Sequence, residues 1–148
     1  MKLMRIALMI MTVLSMNASA NQLSVDQVKF SNAWVKMPMP GMNMTAAFVD
    51  IKNLSNRNLK LLAVTTPVSM VAELHSMVMV DNVMQMRQVK NGWVIKPEGT
   101  LTLAPGGKHA MLMGINPNLK NQLEAVLEFN IEGIGWISVP TVVRKPNP

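Results

Sequence analysis

The stretch "ELHSMVMVDNVMQM", Glu73 to Met86, reads as two strands joined by a tight turn. Asp81-Asn82 is a pair that tolerates the left-handed backbone of a two-residue hairpin. Val78, Val80 and Val83 flank it, and β-branched side chains favour a pleated chain. A helix would also bring His75 and Met79 together, at i and i+4, but the valines and the turn argue against it. With the turn fixed, the register follows: Met79 lies opposite Met84 and Met77 opposite Met86. In a strand, residues i, i+2 and i+4 share a face, so His75, Met77 and Met79 point the same way. Met86 then becomes a diagonal neighbour of His75, about 7–8 Å away.

The same grammar extends along the chain. Strands are predicted over 28–36, 45–52, 59–65, 70–80, 83–89, 100–103, 109–115, 124–132 and 136–143. Between them lie turn-rich segments such as "MPMPGMN", "NLSNRN", "APGG" and "NPNLKN", the last with room for one short helical turn. Many short strands with turn signals at this spacing predict an all-β domain, an antiparallel β-sandwich or barrel. Trp34, Trp93 and Trp136 fall in or beside strands and are expected to pack. Gly133 and Gly135 mark a tight turn before the last strand.

Ahead of the domain, "MKLMRIALMIMTVLSMNASA" has Lys2 and Arg5, an apolar run from Ile6 to about Met16, and Ala18-Ser19-Ala20. That layout predicts a secretion signal over 1–20, cleaved after Ala20, with one β domain over 21–148. The apolar run is shorter than the roughly 20 residues a membrane span requires. A lipid anchor at the cleavage site would need a cysteine, and the chain has none.

Loss of Lys2 and Arg5 lowers the formal charge from +6 to +4. The remaining basic residues are scattered, and no aromatic residues interleave with them. This predicts a solvated surface rather than a nucleic-acid interface. Without cysteine an exported domain has no disulfides and must stand on its core. Of the 16 methionines, 11 lie beyond residue 20. Methionine commonly fills irregular cores, so each functional reading has to improve on packing.

The later stretch "GGKHAMLMG", Gly106 to Gly114, contains the second of the chain's two histidines. As a strand it places His109, Met111 and Met113 on one face. Each histidine therefore has a same-face thioether two residues away. Imidazole and thioether suit Cu(I). Ca²⁺ and Mg²⁺ want oxygen clusters, and zinc sites draw on Cys, His or carboxylate. Thioethers need no deprotonation and form no disulfides, so such a site works in an oxidising compartment.

The spacing from His75 to Met86, then 22 residues to His109-Ala110-Met111, resembles the periplasmic copper chaperone family PCu(A)C, whose signature is H-x10-M-x21-H-x-M. One extra residue falls in the connection containing "KNGWVIKPEGT", where insertion is expected to be cheap. "AELHSMVMVDNVMQMR" and "LAPGGKHAMLMGI" resemble the family too, and the likeness runs from about Val28 to Lys145. It implies a cupredoxin-like fold in the periplasm, binding Cu(I) through His75, Met86, His109 and Met111 at a barrel rim. It also implies delivery of copper to an acceptor protein, such as the dinuclear copper centre of cytochrome c oxidase or a second chaperone. Met77, Met79, Met84 and Met113 fall outside the signature and are expected to shield the site. The loop "KMPMPGMNM" adds Met37, Met39, Met42 and Met44, read either as transient Cu(I) ligands or as packing.

Other activities fit poorly. A blue-copper carrier needs a cysteine ligand. Ser76 adjoins His75, but strand neighbours face opposite ways, so no nucleophile–base pair forms there. The expectation is a monomeric binding protein with no catalytic residues and no membrane span. Copper storage or resistance, or a sandwich without metal, are the alternatives to delivery.

Overall fold

The structure is a computed structural model that describes residues 23–25 and 27–145. The expected secretion signal lies outside these residues. The described residues form eleven strands and one short 3-10 helix: β1 Leu23–Val25, β2 Val28–Lys36, β3 Met44–Asn53, β4 Leu59–Thr65, β5 Ser69–Val80, β6 Val83–Gln88, β7 Trp93–Ile95, β8 Thr100–Leu103, β9 His109–Ile115, the 3-10 turn Pro117–Asn121, β10 Glu124–Ile131 and β11 Gly135–Arg144. No helix among the described residues is long and apolar enough to cross a membrane.

The strands form one continuous sheet in the order β6-β5-β9-β3-β2-β11-β10-β4-β7, with β1 added to β2 and β8 to β3. β3 is shared along its length. Its first half pairs with β9, Met44 opposite Met113, and its second half with β8, Val49 opposite Leu103. The sheet is mixed rather than purely antiparallel. β2 and β11 run parallel, with Val142 opposite Trp34. These are an early and the last strand, so the intervening chain supplies the long connection that a parallel pair needs.

Alternation along β3 shows how the sequence builds the core. Ala47, Val49 and Ile51 are buried and point inward, while Met44 and Lys52 are exposed on the other face. Phe30 and Phe129 stack at the centre with ring centroids 5.6 Å apart. Leu61, Leu112, Leu127 and Ile131 are fully buried around them. The aromatic pair Trp34 and Phe48 lies on the outer face, 4.5 Å between centroids, with the Arg144 guanidinium 5.5 Å over Trp34. Trp136, by contrast, is more than half exposed.

Two strands were not foreseen. β1 and β7 have three residues each, too few for alternation to show. β7 also corrects the expectation that the connection through "KNGWVIKPEGT" is a loop open to insertion. Trp93 pairs with Leu61, and Ile95 is buried in the core. A further departure is a bulge in β2 between Ser31 and Trp34, where Asn32 has φ 54° and donates to Asp50 at 2.8 Å. Asparagine accepts that left-handed conformation more readily than most residues.

Candidate metal centre

The hairpin from β5 to β6 forms as its residues dictate. Asp81 and Asn82 have φ 49° and 62°, the double left-handed turn that matches strand twist. Met79 pairs with Met84 and Met77 with Met86. β5 lies between β6 and β9, and the register brings the two histidines directly opposite each other, His75 against His109. Their ring centroids are 5.8 Å apart.

Each neighbour on this face follows from the pairing. Met111 lies opposite Glu73, so it is diagonal to His75. Met113 lies opposite Val71 on one side and Met44 on the other, and Met111 lies opposite Ala46. Leu74, Ala110 and Leu112 alternate with these residues and are buried in the core. The cluster therefore occupies the outer face of β6, β5, β9 and β3. The His75–His109 pair is the last of the β5–β9 ladder and falls at the first residue of β9.

Hydrogen bonds set the state of both rings. The Gly107 carbonyl can only accept, so His109 Nδ1–H donates to it at 3.0 Å. The Nε2 lone pair of a neutral ring is thereby left for another partner. His75 Nε2 lies 2.8 Å from Glu73 Oε2. A neutral ring that donates from Nε2 keeps its lone pair on Nδ1. That Nδ1 is buried and has no hydrogen-bond partner, alone in this among the described side-chain atoms. A buried polar atom without a partner is costly, and a soft cation bound at that nitrogen would relieve the cost. His109 is only 5% exposed, so such an ion would be largely shielded from water. No cluster of three or more His, Cys, Asp or Glu residues suited to a metal occurs among the described residues. The donors this face adds to the two imidazoles are thioether sulfurs, which favour soft ions.

The four residues singled out from the sequence are not equally close. His75 and His109 face each other, and Met111 is their neighbour in register. Met86 lies on the edge strand β6, opposite Met77, and is nearly half exposed. Sequence reasoning missed Glu73. The signal was present in Glu-x-His on a strand, which puts carboxylate and imidazole on one face.

Comparisons with known proteins agree with this architecture. The fold is a cupredoxin-like β-sandwich shared with PCuAC domains. The apo PCuAC domain from PmoF1 superposes with a TM-score of 0.70 at 20% identity, over 84% of this chain and 99% of that one. The copper-bound PCuAC domain from PmoF2 gives 0.66 at 20% identity, over 84% and 98%. CuI-DR1885 from Deinococcus radiodurans gives 0.58 at 28% identity, over 88% and 85%. By sequence, residues 28–143 match the family described as "Putative lipoprotein LpqE-like", and the chain belongs to that family. A protein of Leifsonia xyli subsp. xyli described as a "Putative lipoprotein" is 35% identical over 117 residues, which cover 78% of this chain and 69% of that one.

Proposed function

We propose that this protein is an exported Cu(I)-binding metallochaperone. It holds one ion through His75, Met86, His109 and Met111 and delivers it to an acceptor protein, such as the dinuclear copper centre of cytochrome c oxidase. The observation that carries the reading is the buried, unpartnered Nδ1 of His75, on a ring whose centroid lies 5.8 Å from that of His109, on a face that also carries methionines. Two similar structures support the choice of metal, since one is copper-bound and another is described as the CuI form. Relatives described as lipoproteins support a location outside the cytoplasm. The chain's own basic and apolar first 20 residues read as the export signal. None of its 148 residues is a cysteine that would accept a lipid.

In this reading the protein binds and releases rather than catalyses. Two imidazoles and two thioethers are neutral donors, so Cu(I) keeps its single charge in the site. The Cu(I) state is favoured because thioether is a soft ligand. Anaerobic competition titration followed by mixing with a purified apo-acceptor domain tests the proposal. Delivery predicts one tightly bound Cu(I) that appears on the acceptor. Retention of the ion after mixing indicates storage instead, and absence of binding removes the metal role altogether.

Glu73 acts through His75 by holding its Nε2, which keeps the ring in the tautomer with a free Nδ1. Glu73→Ala is expected to weaken Cu(I) binding about 10- to 100-fold, the usual cost of losing such a partner. Glu73→Gln retains a carbonyl acceptor and should restore most of the loss. Equal losses in the two variants would show that the hydrogen bond does not orient the ring.

A further inference from the structure

We propose that the methionine loop joining β2 to β3 forms a second soft-metal site, made of thioethers alone and opening onto Met111. The inference rests on the Cu(I) reading of the His-Met face and adds a separate binding event beside it.

A cavity of about 210 Å³ is lined by Met37, Met39 and Met42 of the loop, by Met44 at the start of β3 and by Met111 of β9. The loop's thioethers thus share one space with a residue of the His-Met cluster, although Met39 and Met111 are far apart in sequence. The loop is positioned by its backbone. Met37 N–H donates to the Arg144 carbonyl at 2.7 Å, Met42 N–H to Met39 at 3.0 Å, and Ile115 N–H to Asn43 at 3.0 Å. Gly41, with φ 78°, supplies the left-handed residue this turn requires. β3 then presents Met44 on the same outer face as Met111 and Met113.

Core packing does not account for these side chains. Of the four, only Met37 packs against the hydrophobic core. Met39, Met42 and Met44 are 60%, 53% and 40% exposed. Three flexible, polarizable sulfurs at the mouth of a cavity are poor core filler but competent donors for a soft ion. The rest of the lining selects among cations. No carboxylate contributes, and the one charged side chain is Lys36. Its ammonium repels a divalent ion more than a monovalent one, because the repulsion scales with charge. The ligand class is therefore a soft monovalent cation, Cu(I) or its surrogate Ag(I). The loop sulfurs meet solvent, whereas His109 is almost fully buried. Met111 belongs to both sets of donors, lining the loop cavity and lying diagonal to His75.

The test is an anaerobic Cu(I) titration of the full chain carrying ¹³C-labelled methionine methyl groups, followed by NMR. The first equivalent should shift the methyls of Met86 and Met111. A second equivalent should shift those of Met39, Met42 and Met44 and perturb Met111 again. The triple variant Met39→Leu, Met42→Leu, Met44→Leu keeps the apolar bulk. It should lose the second event and retain the first unchanged. A His75→Ala, His109→Ala variant should still show the loop event. The loop site is overturned if the loop methyls stay still through two equivalents while Met111 shifts, or if the second event survives in the leucine variant. Movement of the loop methyls and Met111 with Met86 unmoved through both equivalents would instead support the loop site and refute the four-residue site.

Discussion

Changing His109 and Met111 together to alanine lowers Cu(I) affinity by more than about a hundredfold, beyond the loss expected from an outer partner alone. The two residues supply half of the proposed donors and come from a single strand. Removing them leaves only His75 and Met86, on β5 and β6, of the four proposed donors. The fold should survive, because both side chains lie on the outer face and Ala110 and Leu112 hold β9 in the core. A competition titration gives the affinity, and a thermal melt checks the fold. Met111→Leu alone keeps the bulk and removes only the sulfur, so its smaller loss separates ligation from packing. If the double variant folds and binds Cu(I) as tightly as the parent, these residues are not ligands.

Gly92→Ala is the substitution expected to damage the fold most. Gly92 has φ 67°, and a Cβ there would lie 1.9 Å from the carbonyl oxygen of Leu61. No side-chain rotation relieves an overlap with backbone. Either β7 separates from β4, exposing Ile95, or β4 shifts against β10. The expected cost is about 4 kcal/mol, at the upper end of single-substitution effects, with a fall in Tm of about 10 °C or more. Gly41→Ala is the comparison. Its φ is similarly positive, 78°, but nothing lies within 4 Å of the added Cβ. It should lose only about 1–2 kcal/mol for the left-handed backbone. Thermal melts of the two variants decide the matter, and similar losses would mean that the contact with Leu61 is relieved cheaply.

Most of the frame was legible because it rests on local rules. β2, β4, β8 and β9 have the bounds that alternation and turn residues predicted. The Asp81-Asn82 turn was decisive. Its length fixes the β5–β6 register, and the register fixes which methionines share a face with His75. What local rules cannot supply is partnership between distant strands. The pairing of His75 with His109 depends on β9 docking beside β5, and the parallel β2–β11 pair depends on how the last strand returns. The bulge at Asn32 escaped notice because a single asparagine inside a strand has several readings. Glu73 was overlooked because a carboxylate beside a soft-metal motif does not look like a ligand. Its part is to hold a ring, which shows only once the 2.8 Å contact is seen. The loop methionines were ambiguous in sequence, and their exposure and the cavity shared with Met111 give them a place.

The most direct test of the central claim is X-ray absorption at the copper edge of the full chain loaded anaerobically with one equivalent of Cu(I). The account predicts a Cu(I) edge with both imidazole nitrogen and thioether sulfur in the coordination sphere. It further predicts that the imidazole signature is lost in a His75→Ala, His109→Ala variant. A sphere of oxygen or nitrogen without sulfur, or an imidazole signature unchanged in that variant, would contradict it.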